Sequence, residues 1–428
     1  MSNERNIDVI VIGGGPAGST CSALLAEKGR RVVVFEKEKF PRYHIGESLM
    51  PLTYFPLKRL GLIDKMKASH FTKKFSVQFV RQDGRASLPF YFFQHLKHES
   101  AVTWQVVRAE FDQMLLENAR SKGAEIHEET PVKEVIWENN RVVGVKVEQN
   151  GNLKEYRAPV TIDCSGREAL TSSRNGWRKY DPKLNKIAIW TYYTGAKRDP
   201  GLDEGATTVA YIPHKGWFWY IPLPEDVLSV GVVADKDYLY RDTKDLEKIF
   251  DREVLTNKWI EEHLAQGQRL ERFFTTGEYS YRSKFTCADG LVMAGDAFGF
   301  LDPVFSSGVL LALRSGELVA DAVDAALKDN DVTAARFTPY CENVCTGIES
   351  MRKLVYAFYD EGFRFRALFD KYPDARGQVT DCLIGDLFRE MDPLYNAVAE
   401  FAKLPPTLDH GRPLPSGTPP KSAEPAST

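Results

Sequence analysis

Apolar positions cluster at Ile7–Ile12 and again at Val32–Phe35. Between them lie Gly13-Gly14-Gly15-Pro16-Ala17-Gly18, a helix-like segment to about Lys28, and a turn at Gly29. Short apolar runs of this kind predict strands buried on both faces. The opening therefore reads strand, glycine turn, helix, strand, and it ends in Glu36. Further on, Pro51–Leu60 predicts a helix capped by Gly61, followed by a short helix at Ile63–Ser69. Phe75, Val77 and Phe79 alternate as on a half-buried strand, with Ser87–Phe93 as its partner. Lys73 and Lys74 stand at the start of that strand, one on each face.

Phe111, Leu115, Leu116 and Ala119 have helical spacing, in a helix that opens after Val106 and runs to about Lys122. Strands are predicted at Ala124–His127, Val132–Glu138 and Val142–Gln149, with Asn139-Asn140 as a hairpin turn, and at Val160–Asp163. From about 175 to 280 the pattern is that of a mainly antiparallel sheet. Its strands are Ile187–Thr194, Thr207–Ile212, Trp217–Ile221, Leu228–Val233 and Glu271–Tyr281. Gly290–Asp296 is a short buried strand ending in an acid, and Val304 opens a helix to about Leu327. Ala335 to about Lys403 is helical and rich in aromatics. The Pro-rich, polar stretch from Leu404 is expected to be disordered.

These elements imply an α/β protein built on a Rossmann-like βαβ unit. A discontinuous nucleotide-binding domain takes 5–175 and 281–330. An inserted antiparallel sheet takes 176–280, with parts of 70–105, and would roof a substrate site. A helical region spans 331–403 and a tail 404–428. A length of 428 residues suits such a pair of joined domains. Net charge is −3, so no basic excess points to nucleic acid. The N-terminus enters the first strand with no apolar leader, and no run of eighteen apolar residues occurs, which implies a cytoplasmic protein without a transmembrane segment. The six cysteines are scattered, with no metal-ligand or CxxC spacing, and read as reduced packing residues.

The glycine turn carries the clearest chemistry. Gly13 permits the turn, and Gly15 lets backbone approach a pyrophosphate at the helix start, beside Pro16 and Ala17. Gly18 allows helix and strand to pack closely, and Glu36 is placed for ribose hydroxyls. The polar loop after Glu36 offers Lys37, Arg42, Glu47 and Ser48 as cofactor contacts, or simply a solvated loop. Arg108 stands at a helix start, free to reach a cofactor, and Asp296 suits a sugar hydroxyl. Backbone N–H groups at Ser307, Gly308 and Val309 favour an anion. Period two sets Trp217 and Trp219 on one face and Phe218 and Tyr220 on the other, for core packing or for a cavity wall. Spacing alone makes the two lysines a solvated strand end.

Three nucleotide-binding pieces stand in order: GGGPAG with Glu36, then Arg108, then Gly295-Asp296. They resemble the glutathione-reductase-type FAD fold of the aromatic-hydroxylase group. With a single dinucleotide motif, no second domain for NAD(P)H is expected. Trp217-Phe-Trp219-Tyr-Ile221-Pro222 resembles the WxWxIP signature of flavin-dependent halogenases, and Phe300 to Gly308 resembles their FxxPxxSxG pattern. Phe71-Thr-Lys73-Lys74-Phe75 resembles their FxxKxG segment, with Ser76 in place of the glycine. It aligns Lys74 with the essential lysine and leaves Lys73 as the alternative. The resemblance covers about residues 5–400 and is nearest to the shorter enzymes acting on pyrrole or phenol rings.

The resemblance implies that FAD arrives as FADH2 from a separate flavin reductase. It reacts with O2 to a hydroperoxide, which chloride or bromide attacks to give hypohalous acid. Ser307 and Gly308 match the halide site, Trp217, Trp219 and Phe305 the separation of flavin from substrate, and Lys74 the residue that delivers the halogen. Phe305 occupies the position where tryptophan halogenases hold an indole-orienting glutamate, so free tryptophan is disfavoured. The implied substrate is an electron-rich pyrrole or phenol, free or tethered to a carrier protein. The alternatives are an FAD-dependent aromatic monooxygenase and a geranylgeranyl-type reductase.

Overall fold

The computed structural model describes residues 6–270, 272–277 and 280–419. Val9–Ile12 and Val32–Phe35 are buried at all eight positions, as runs without polar alternation must be. They lie side by side in parallel, with Val11 opposite Val34. Val160–Asp163 pairs on the other side of Val9–Ile12, and Leu291–Met293 pairs beyond it, both parallel. Glu125–His127 closes one edge and the antiparallel Phe285–Ala288 extends the other. Helix Pro16–Glu27 crosses between the first two strands and packs on helices Arg108–Ser121 and Gly308–Lys328. A Cβ at Gly316 would stand 2.7 Å from the Ala17 carbonyl oxygen, so the last of these helices needs glycine there. The cofactor half thus has the expected Rossmann-like architecture.

The Asn139-Asn140 turn is present, with φ of 48° and 64°, the left-handed values of a tight hairpin. It joins Val132–Glu138 to Arg141–Gln149, and a third strand, Asn152–Arg157, follows. That strand was not expected. Five of its six residues are exposed, so it lacks the alternation that marks a half-buried strand.

The large sheet runs in the order Gln268–Arg269, Lys186–Thr194, Val227–Asp235, Trp217–Pro222, Thr207–Tyr211, Ser76–Val80, Phe90–Tyr91. It departs from expectation at its edges. Within the predicted strand Glu271–Tyr281 only Phe274–Thr276 pairs to Lys186–Thr194, and a second short segment, Gln268–Arg269, pairs to the same strand from before the predicted span. Tyr281–Ser283 joins another small sheet, while Glu271, Tyr279 and Glu278 lie outside the described residues. The run Phe75–Phe79 is not half-buried: the strand breaks at Phe75, and Ser76–Val80 is buried at every position because its far side is covered too. Its partner shrinks from Ser87–Phe93 to Phe90–Tyr91, with Phe92–His95 turning helical.

The two faces of the sheet are distinct. Trp217, Trp219, Ile221, Val77 and Phe79 join the core shared with the cofactor half. Phe218 and Tyr220 pack on Phe250, Trp259 and Ile260 from two helices, Leu246–Val254 and Lys258–Leu264. Each is capped by its preceding residue: Asp245 and Asn257 accept two backbone N–H groups apiece.

Helices Thr338–Tyr359, Phe365–Lys371, Ala375–Ile384 and Asp392–Val398 form the helical region. The tail departs from the expected disorder as far as residue 419. Arg412–Pro413 adds a strand beside Phe285–Ala288, Leu414 is buried, and Thr286 donates to the Gly411 carbonyl. Proline-rich composition did not exclude order here, because an open sheet edge supplies the backbone partners. The remainder of the tail lies outside the described residues. All six thiols are free.

Candidate functional site

A cavity of about 370 Å³ opens where the first strand ends. Gly13 turns there with φ of 97°, and a Cβ on Gly18 would stand 1.9 Å from the Gly13 carbonyl oxygen. Helix Pro16–Glu27 can therefore seat on the turn only with glycine at 18, and its first-turn N–H groups lack intrahelical acceptors. Gly13, Gly15, Pro16 and Ala17 line the cavity. Glu36 is held on the wall by two backbone donors, Gly14 at 2.7 Å and Glu38 at 2.8 Å.

Two arginines face the same space, and both are held by one carboxylate that the sequence reading did not single out. Arg108 binds Asp112 through two bonds, of 2.8 and 2.9 Å, and Arg42 reaches it at 3.0 Å. Burial opposes charge on Asp112, but the Arg108 guanidinium outweighs it, with help from Arg42, and holds the carboxyl below its ordinary range. The i,i+4 spacing of Arg108 and Asp112 on a helix was the available signal. Arg42 also meets Glu38 at 3.3 Å, and Arg108 donates its remaining nitrogen to the Ile45 and Gly46 carbonyls, so Arg108 is not the free side chain expected from its place at the helix start. Lys37 is exposed at the rim and pairs with Glu168 at 2.7 Å. Asp296 lines the opposite side, pushed up to about 6 by burial against the pull of Arg167 and Arg108. Glycine clearance, the ribose-side acid and the arginine pair together fit an FAD.

Glu47 and Ser48 reach the cavity differently from each other. Glu47 is buried and pushed up to about 7 by desolvation, which suits a proton or a hydroxyl better than a phosphate. The Ser48 hydroxyl is engaged with Thr207 Oγ1 at 2.8 Å and with Lys74 Nζ at 2.8 Å. Both Ser48 and Thr207 line the cavity, so Lys74 stands directly behind a wall of two hydroxyls. Lys73, its neighbour, is exposed.

Lys74 is 3% exposed. Its ammonium donates to Ser48 and, at 3.1 Å, to the Leu49 carbonyl, and sits 5.6 Å from the Phe92 ring centre. Among the described residues no carboxylate pairs with it. Desolvation therefore acts unopposed and brings its pKa down to about 7. Gln105 completes the polar group by donating to Thr207 at 2.9 Å. No spacing pointed to Gln105; strand pairing of Thr72–Lys74 with Thr103–Gln105 brings it in.

Trp217 and Trp219 line the cavity, their rings 6.2 Å apart. Trp219 lies over Gly231, where a Cβ would come within 2.4 Å of the indole, and donates to Ser229 at 3.1 Å. Trp217 donates to the Tyr359 hydroxyl at 2.7 Å, and Tyr359 to Asp302 at 2.8 Å. Asp302 also accepts the Val304 N–H, shaping the turn Pro303–Phe305. Ser306 follows at φ of 59°, and the helix begins at Gly308, four residues later than expected. Ser306, Gly308 and Val309 line the cavity, whereas the Ser307 side chain is buried behind it. Phe305 sits away from the wall in an aromatic cluster, 5.7 Å from Phe358 and 6.4 Å from Phe79.

Comparison with known proteins gives a consistent picture. The family model described as tryptophan halogenase matches residues 93–372, and that of FAD dependent oxidoreductases matches residues 8–173. A 1H-pyrrole-2-carbonyl peptidyl-carrier-protein chlorinase of Pseudomonas fluorescens is 32% identical over 407 residues, covering 90% of each chain. The corresponding brominase of Pseudoalteromonas luteoviolacea is 34% identical, covering 77% of this chain and 80% of its own. The solved structure of the flavin-dependent brominase Bmp2 superposes with a TM-score of 0.84 at 29% identity, over 93% of this chain and 99% of that one.

Proposed function

Because this chain belongs to the tryptophan-halogenase family of flavin-dependent halogenases, we propose that it halogenates an electron-rich pyrrole or phenol ring, with a carrier-tethered pyrrole as the first candidate. FAD bound in the cavity would supply the electrons that reduce dioxygen and, with chloride or bromide, generate a hypohalous oxidant. The chain's own residues then have three tasks. The glycine turn, Glu36, Arg42 and Arg108 would hold the nucleotide. The first-turn N–H groups at Gly308 and Val309 would hold the halide without adding a cation. Trp217 and Trp219 would keep the ring to be halogenated away from the flavin. Lys74 would receive the halogen or polarise the oxidant on the far side of the Ser48–Thr207 hydroxyls.

The observation that carries this reading is the environment of Lys74. A buried amine with only neutral hydrogen-bond partners, no counter-ion among the described residues and a pKa near 7 keeps a neutral fraction at ordinary pH. It is one hydroxyl away from the cofactor cavity. A solvated strand end would have neither property. The pyrrole preference rests on the two pyrrolyl-carrier relatives and on Phe305, which offers no carboxylate for an indole.

The test is mass spectrometry of products from purified protein, a separate flavin reductase, FAD, NADH, bromide and a panel of pyrrolyl-carrier proteins, free pyrroles and phenols. Brominated pyrrolyl thioester made by wild type and not by Lys74→Ala supports the proposal. Bromination by Lys74→Ala at the wild-type rate would overturn the lysine assignment, and NADH consumption without added reductase would favour a monooxygenase.

A further inference from the structure

A hydrogen-bonded chain leads from the protein surface to the cavity, and none of the roles above uses it. Glu47 stands on the cavity wall, 3% exposed, and its Oε2 has no hydrogen-bond partner among the described residues. Its Oε1 accepts the Tyr192 hydroxyl at 2.8 Å. Tyr192 and Tyr43 share a hydrogen bond of 2.9 Å. Trp190 Nε1, which can only donate, reaches the Tyr43 oxygen at 2.7 Å. Tyr43 therefore accepts from Trp190 and has its own proton free for Tyr192, whose proton faces Glu47. Both hydroxyls are arranged to pass protons inward, and Tyr43 is 49% exposed. Tyr43 and Trp190 both stack on Phe274, at 4.8 and 5.4 Å between ring centres, which holds the outer end in place.

We propose that Tyr43, Tyr192 and Glu47 form a proton path from solvent to the cofactor cavity, with Glu47 as the group that hands protons over. The inference rests on the halogenase reading. Converting FADH2, dioxygen and a halide ion to FAD, hypohalous acid and water takes up one proton per turnover, and this chain offers a hydrogen-bonded route by which it can arrive.

The path balances bond by bond. The O–H on Glu47 Oε2 breaks as a base in the cavity takes its proton. Oε1 then gains the Tyr192 proton, Tyr192 gains that of Tyr43, and a hydronium ion or buffer acid in solvent gives Tyr43 its proton back. A half-turn of the carboxyl and rotation of the two phenolic O–H bonds reset it. Burial holds the Tyr192 hydroxyl far above the ordinary tyrosine range, so no tyrosinate accumulates and the transfers are concerted. Burial likewise raises Glu47, while Tyr192, Ser229 and Arg108 pull it back to about 7, so both protonation states are accessible.

The other groups around the path do not replace it. Arg42 and Arg108 stay charged, Arg272 faces Tyr43, and His44 is held near 4 by burial and Arg108 and stays neutral. Both carboxylate oxygens of Glu36 hold backbone N–H groups. Asp296 faces the cavity, but its carboxyl joins no hydrogen-bonded chain among the described residues.

The test uses the full chain loaded with FAD, as wild type, Tyr43→Phe and Tyr192→Phe. Each is reduced without oxygen, then mixed with aerated buffer and bromide in H2O or D2O, and flavin oxidation is followed by absorbance. The expected result is unchanged FAD affinity with oxidation slowed about tenfold or more in both variants. Wild type should show a curved dependence on D2O fraction that becomes linear in Tyr192→Phe. A readout without cofactor is the infrared band of a protonated carboxyl, titrated with pH. Wild type should lose it near neutral pH, Glu47→Gln should lack it, and Tyr192→Phe should move its midpoint upward. Wild-type oxidation rates and isotope effects in both phenylalanine variants would overturn the path. Intact isotope effects with no halogenated product from wild type would support the path and count against the halogenase reading alone.

Discussion

Lys74 Nζ lies 2.8 Å from Ser48 Oγ, and that hydroxyl is itself part of the cavity wall. One side chain therefore touches both the proposed oxidant chamber and the proposed halogen carrier. It fixes the amine against the wall that, on the proposed reading, separates it from the oxidant.

Lys74 should leave a signature in stability as well as in activity. Its folded pKa of about 7 lies below the unfolded value near 10.5. Between those values the unfolded chain carries the extra proton, so stability rises with pH across the window. Below about 7 both states are charged and the burial penalty is complete. Lys74→Met should raise Tm by several degrees at pH 6 and by clearly less at pH 9, while abolishing halogenation. Thermal melts at the two pH values check this, and an equal gain at both would contradict it.

Removing the wall hydroxyl should weaken the amine's hold without emptying the cofactor site. In Ser48→Ala, Lys74 keeps the Leu49 carbonyl and loses its other acceptor, a loss of about 1–2 kcal/mol for a buried donor. Halogenated product per flavin oxidised should fall about tenfold, with the oxidant escaping as free hypohalous acid. Trapping that acid with a colorimetric scavenger measures the leak.

Asp112 should matter to FAD although it is not expected to touch it. Asp112→Asn leaves Arg108 and Arg42 without their shared counter-ion, one of them fully buried. Breaking such a pair typically costs about 3–5 kcal/mol. Urea unfolding should show that loss, and FAD fluorescence titration should show affinity down at least about tenfold. Normal FAD affinity in a stably folded variant would show that the arginines need no such anchor.

Trp217 and Tyr359 should act as one unit. Tyr359→Phe removes the acceptor of the Trp217 indole N–H and the donor to Asp302 together. Each single change, Trp217→Phe or Tyr359→Phe, should cost about 1–2 kcal/mol, and the double variant should cost less than their sum. A double-mutant cycle by urea unfolding measures the coupling, and strict additivity would mean the bond contributes nothing.

Gly18→Ala should prevent FAD binding outright. The new Cβ would sit 1.9 Å from backbone that has nowhere to move, so the helix must lift off the turn. Absence of bound yellow cofactor after purification, with retained helical circular dichroism, is the expected outcome.

The sequence by itself determined the local parts of this protein. Glycine spacing, unbroken apolar runs and the period-two tryptophans each express a constraint acting within a few residues, so strand, turn, helix and sheet face were all legible. That Lys73 and Lys74 lie on opposite faces of one strand was legible as well, whereas the burial of Lys74 was not, since spacing alone made both a solvated strand end. Tertiary structure alone decided what lies across from each side chain. Asp112 beneath two arginines, Tyr359 under Trp217, the hydroxyls before Lys74 and the Tyr43–Tyr192–Glu47 chain join residues as many as 159 positions apart. The ordered tail and the divided edge strand were likewise settled by partners elsewhere in the chain. Hydrogen bonds and desolvation depend on neighbours in space, and a sequence records neighbours only along the chain.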